Sequence, residues 1–180
     1  MKTNFPYILF FVLFIYSCDK NDDQPQSPID QLPPATQTGE QTFGCLIDGE
    51  PFISDNFGRG RPSAFYQYID GKYTFNIGAY KSSDSTLNVA IAGRNIEGLQ
   101  ESIFRLIEEE DENIFGKLII SKGGIQLNSS SLTENPGELI ITNFDPDNFI
   151  LSGTFEFTVL DEEGNEIEIT DGRFDVKYTN

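Results

Sequence analysis

At 180 residues, with 29 acidic against 12 basic side chains and a formal charge of −17, the chain has room for one folded domain and a surface that repels phosphate backbones and anionic lipid heads. No cluster of Lys or Arg interrupts the acidity, which argues against nucleic acid as a partner. There is no His and no Trp, so the commonest general base, the Ser-His and Cys-His nucleophile pairs and the usual ligand of zinc, copper and non-haem iron are all missing.

The chain opens on Lys2, and Phe5 to Tyr16 follows as twelve nearly all apolar residues without a charge. A helix that spans a bilayer needs about 20 such residues, and a buried first helix would have no polar face to give to solvent. Residues 1–17 therefore read as a secretory signal. The run stops at Ile15-Tyr16-Ser17-Cys18, which resembles the lipobox of bacterial lipoproteins: a branched apolar residue three before the cysteine and a small one just before it. That resemblance implies that Cys18 becomes the mature N-terminus, carrying a diacylglyceryl thioether and an N-linked acyl chain such as palmitate. Two or three chains anchor a protein stably where one does not, at about 0.8 kcal/mol per buried methylene. The next segment, Asp19-Lys20-Asn21-Asp22-Asp23, resembles the signal that sends lipoproteins of the Bacteroidota to the outer face of the outer membrane. The alternative is an acidic spacer on a lipoprotein that faces the periplasm.

Residues 18–41 contain Pro25, Pro28, Pro33 and Pro34 among Gln, Asp, Ser and Thr, with few apolar side chains. Such a composition does not bury enough surface to fold. The expectation is an extended leash that reaches roughly 70 Å at about 3.1 Å per residue.

From residue 42 to 180 the apolar period is two and turn residues recur every eight to twelve positions, which predicts an all-β, antiparallel sandwich or barrel-like meander of about nine to ten strands. Asp48-Gly49 and Asp70-Gly71 each mark a two-residue hairpin, because a type I′ turn needs positive φ at two successive residues. The first sets Cys45 opposite Phe52. The second sets Tyr68 against Tyr73, Tyr66 against Phe75 and Ala64 against Ile77, all on one face. Leu87, Val89 and Ile91 form a further half-buried strand. Residues 99–102 read as a short helical turn ahead of a strand at 103–107, and Glu108 to Glu112 as a solvated loop.

Parity decides the last hairpin. A three-residue loop, Glu162-Glu163-Gly164, faces Val159 with Ile167 and Phe157 with Ile169, whereas a two-residue turn would face Val159 with Glu168. The apolar set then moves from odd positions at Ile167 and Ile169 to even ones at Phe174, Val176 and Tyr178. One extra residue must be absorbed, and Asp171-Gly172 is the expected bulge; it restores Leu151 opposite Val176 and Phe149 opposite Tyr178.

Phe43-Gly44-Cys45-Leu46 with the preceding Leu32 to Gly39, and Ser152-Gly153-Thr154-Phe155-Glu156-Phe157 with Ile169 to Val176, resemble a group of small flavobacterial lipoproteins. The resemblance covers most of residues 32–180. It implies a membrane-anchored β-rich domain and supplies no catalytic residue.

Chemistry along the domain is sparse. No nucleophile elbow, phosphate loop or dinucleotide glycine pattern occurs, and the many carboxylates single out no acid and base pair. Cys45 reads as a small buried hydrophobe, the alternative being a redox thiol. The acidic segments 145–148 and 161–165 offer oxygens to calcium but match no calcium loop, and read as turns. Tyr66, Tyr68, Tyr73 and Phe75 are the candidate ligand platform, either stacked on sugar rings or buried as core. The expectation is a non-catalytic, cofactor-free module, bound to the outer membrane through Cys18 and displayed on the cell surface, with a structural or interaction role. Glycan capture is the alternative.

Overall fold

Strands that alternate apolar and polar side chains bury only one face each, and two such sheets satisfy one another by stacking. The computed structural model, which describes residues 27–55, 58–82 and 84–180, shows this arrangement. The signal segment 1–17 and Cys18 lie outside the described residues. Eleven strands are present among the described residues: β1 Thr42–Ile47, β2 Glu50–Ile53, β3 Ser63–Ile69, β4 Lys72–Ser82, β5 Thr86–Ile96, β6 Ile103–Leu106, β7 Ile114–Lys122, β8 Ile125–Ser130, β9 Gly137–Asp145, β10 Ile150–Leu160 and β11 Glu166–Lys177. They form an antiparallel six-stranded sheet in the order β2-β1-β11-β10-β9-β6 and a five-stranded sheet in the order β3-β4-β5-β7-β8. The strands number one or two more than expected, and two of them, β2 and β6, are four-residue strands at the edges of the larger sheet.

Both Asp-Gly hairpins form in the expected register. Cys45 faces Phe52, and Tyr68, Tyr66 and Ala64 face Tyr73, Phe75 and Ile77. Asp70 and Gly71 take φ of 51° and 92°, the left-handed pair that this turn requires. The helical turn expected at residues 99–102 does not form. Leu99 is buried, and its backbone N–H donates to the Tyr66 hydroxyl at 3.1 Å, which fixes the segment as an irregular crossover. The acidic loop at 108–112 is partly tied down rather than wholly solvated, since Glu109 meets both Arg94 and Lys117.

The closing hairpin follows the parity argument. Val159 faces Ile167 and Phe157 faces Ile169, Gly164 has φ of +86°, and the ladder resumes with Phe155 opposite Gly172 and Leu151 opposite Val176. Tyr178 N–H donates to the Phe149 carbonyl at 2.9 Å. The extra residue lies at the expected place, but its left-handed conformation belongs to Asp171, φ 52°. Gly172 serves another purpose: a Cβ there would come within 2.5 Å of both the Phe155 ring and the Phe155 carbonyl oxygen.

The core sits between the sheets. Phe155 lies 5.2 Å from Phe43, 6.2 Å from Phe157 and 6.3 Å from Phe174 between ring centroids, against Ile77, Val89, Ile91 and Leu118 of the other sheet. Cys45 is fully buried here. Burial pushes its thiol far above the ordinary value, so it packs as a small hydrophobe and does not ionise.

Of residues 18–41, expected as an extended leash, residues 32–41 instead lie as a strap on the outer face of the six-stranded sheet, and residues 18–26 lie outside the described residues. Leu32 is buried, the Gln37 amide donates to the Thr142 carbonyl at 3.1 Å, and the Asn143 amide donates to the Gln37 carbonyl at 3.3 Å. The clasp is Asp175, which has no exposed surface. Its carboxylate accepts from Thr36 Oγ1 at 2.7 Å, Thr38 N at 3.0 Å, Gly39 N at 2.8 Å, Glu40 N at 3.1 Å and Ser152 Oγ at 2.7 Å. Hydrogen bonds to one buried charge supply the ordering that hydrophobic area does not.

Candidate functional site

The hairpin of β3 and β4 was expected to present four rings on one face, and the structure divides them by depth. Phe75, near the middle of β4, is 1% exposed and belongs to the core, whereas Tyr68, beside the turn, is 65% exposed. Tyr66 and Tyr73 are half-buried between these limits and lie parallel, with centroids 4.7 Å apart and an interplanar angle of 2°. The aromatic face is therefore three tyrosines that run from the core to solvent.

Sequence reasoning missed the other half of the site, which comes from the opposite sheet. Phe144 at the end of β9, Phe149 just before β10 and Tyr178 just after β11 close on Tyr66, with Phe144 and Tyr178 edge-on to it at 5.4 Å and 5.8 Å. Phe149 meets Tyr178 at 5.7 Å. The sheets are joined at this point, because Thr179 pairs with Phe65 as a parallel bridge, accepting from Tyr66 N at 2.8 Å and donating to the Ala64 carbonyl at 3.1 Å. Those bonds hold Tyr178 beside Tyr66. The only signal in the sequence was the parity that set Phe149 opposite Tyr178.

The rings line an open cleft of about 460 Å³, which also takes in Glu97, Gly98, Leu99, Pro146 and Asn180. That volume lies in the range of small-molecule sites, roughly 300–1,000 Å³. Phe149 is 41% exposed and holds φ of 58°, an uncommon conformation for a bulky residue. Burial raises the pKa of the Tyr66 and Tyr178 phenols, and the neighbouring phenol adds to the shift in each case. Both therefore remain protonated hydrogen-bond donors at neutral pH. Glu97 at the rim is paired with Lys72.

The acidic turns are self-contained. The Asp145 carboxylate accepts from the backbone N–H groups of Asp147 and Asn148 and from the Asn148 amide, and Asp161 does the same with Glu163 and Asn165. These bonds lower both carboxyl pKa values, the Asn side chains contributing most. Among the described residues no group of three or more His, Cys, Asp or Glu is placed to hold a metal ion. No helix among them is long and apolar enough to cross a membrane.

Comparison with protein-family models, with curated proteins and with solved structures gives no match to this chain.

Proposed function

We propose that this chain is a lipid-anchored, non-catalytic binding module of the outer membrane, held through Cys18, displayed on the cell surface, and making its contact through the aromatic cleft. The observation that carries this reading is the convergence of Tyr66, Tyr68, Tyr73, Phe144, Phe149 and Tyr178 on one cleft, with hydroxyl donors among apolar faces and no nucleophile and base pair beside them. Such a lining favours binding and orientation over bond making. The strap adds to it. Gln41 Oε1 accepts from the Lys177 N–H, one residue from Tyr178, so the strap ends on the strand that carries one wall of the cleft. The narrower reading, glycan capture, is favoured by the exposed rings of Tyr68 and Phe149.

Fractionation of cells tests the anchorage. Cys18→Ala should move the protein from the membrane to the soluble fraction, since the acyl chains supply the membrane affinity, and protease added to intact cells should digest the wild-type domain. Unchanged partitioning of the variant, or full protection of the domain, contradicts the reading.

A further inference from the structure

We infer that the cleft takes a neutral pyranose saccharide, an inference that rests on its being a binding site. Three observations select this class. The first is the lining, in which ring faces alternate with phenol hydroxyls; the apolar C–H face of a sugar stacks on the former and its hydroxyls bond the latter. The second is charge. The chain carries −17 overall, which repels uronates, sulfated glycans and nucleotides, while the Glu97 carboxylate at the rim is already matched by Lys72. The other carboxylate whose charge reaches the cleft, Asp145 beside Tyr178, has no cation against it among the described residues and adds to the repulsion of anions.

The third observation is ring geometry, which separates a sugar from a quaternary ammonium ion. A cage for such a cation needs ring faces that surround one point. Here Tyr66 and Tyr73 spend a face on each other at 4.7 Å, and Phe144 and Tyr178 are near-parallel at 6.2 Å. The most exposed rings are the outer two, Tyr68 of β3 at 65% and Phe149 of the turn that enters β10 at 41%. Each leans on one neighbour, Tyr68 on Tyr73 at 4.9 Å and Phe149 on Tyr178 at 5.7 Å, and its exposed remainder is where a short oligosaccharide would stack.

The test uses the full-length lipoprotein in nanodiscs of phosphatidylethanolamine, whose headgroup is neither a sugar nor a quaternary ammonium. The probes are cello-, xylo-, manno-, laminari- and maltohexaose as neutral sugars, a hyaluronan hexasaccharide as the anionic one, and choline as the cation, each titrated by calorimetry. At least one neutral hexaose should bind, and Tyr68→Ala and Phe149→Gly should each weaken it roughly tenfold, in line with the loss of one stacked ring and its buried area. Phe149→Gly keeps the positive φ that Phe149 holds, and unfolding temperatures near that of the wild type show that both variants fold. Binding of choline or hyaluronan in place of the neutral sugars, with the same dependence on Tyr68 and Phe149, overturns the saccharide class and leaves the binding module standing. A neutral hexaose bound equally by both variants removes the site from the cleft. No binding by any probe overturns both readings.

Discussion

Asp175→Ala should lower the stability of the domain by about 3 kcal/mol and its unfolding midpoint by roughly 10 °C, because hydrogen bonds to a buried charge are each worth about 1.5–3 kcal/mol and a domain of this size shifts by a few degrees per kcal/mol. The substitution leaves Thr36, Thr38, Gly39, Glu40 and Ser152 without their shared acceptor. Asp175→Asn should recover little of the loss, since one of its two oxygens becomes a donor that faces donors. Differential scanning calorimetry measures the loss. Hydrogen exchange locates it, with the amides of residues 38–40 losing protection before those of β10 and β11.

The same carboxylate sets an acid limit. Burial alone would raise its pKa, but the bonds from Thr36, Glu40, Ser152 and Gly39 together outweigh burial and hold it below the ordinary 3.8. A depressed folded-state pKa contributes stability that is fully present above the unfolded value and is lost as pH falls through the folded one. The wild type should therefore lose stability below about pH 4 more steeply than Asp175→Ala, and the difference between them should be constant from pH 5 to 8. A difference that grows on the alkaline side contradicts the clasp.

Gly172→Val should cost about 3 kcal/mol or more, as overpacking does where the neighbour is unable to retreat. The obstacle is the Phe155 carbonyl, which lies with the Phe155 ring 2.5 Å from the added Cβ and is fixed by the ladder between β10 and β11. Asp171→Gly is the informative control. The positive φ of the bulge is at Asp171, so glycine there should change stability by less than about 1 kcal/mol. Denaturant unfolding of the two variants separates a need for room from a need for conformational freedom. Equal losses at both positions contradict this division of roles.

Those two residues mark the boundary of what the sequence discloses. Period-two alternation and the chemistry of Asp-Gly turns act locally, so the registers at Cys45–Phe52 and Tyr68–Tyr73 follow from the turns, and Val159–Ile167 with the bulge at Asp171-Gly172 from parity. Parity does not measure depth. Phe75 and Tyr68 share a face, yet one is core and the other solvent, because exposure depends on distance along the strand from the middle of the sandwich. Nor does it bring distant strand ends together, which is why Phe144, Phe149 and Tyr178 joined the site only once the sheets were stacked. The strap escaped for another reason: its order comes from polar donors on a buried acceptor, and Asp175, between Phe174 and Val176, reads as an ordinary outward-facing residue.

A capture experiment on intact cells tests most directly whether this is an anchored binder. Cells that display the wild-type lipoprotein are incubated with a fluorescent neutral oligosaccharide, washed and counted, beside cells that express Cys18→Ala or the Tyr68→Ala, Phe149→Gly pair at equal level. The account predicts capture by the wild type alone, lost with the anchor in the first variant and with the two open rings in the second. Equal capture by all three strains would contradict it.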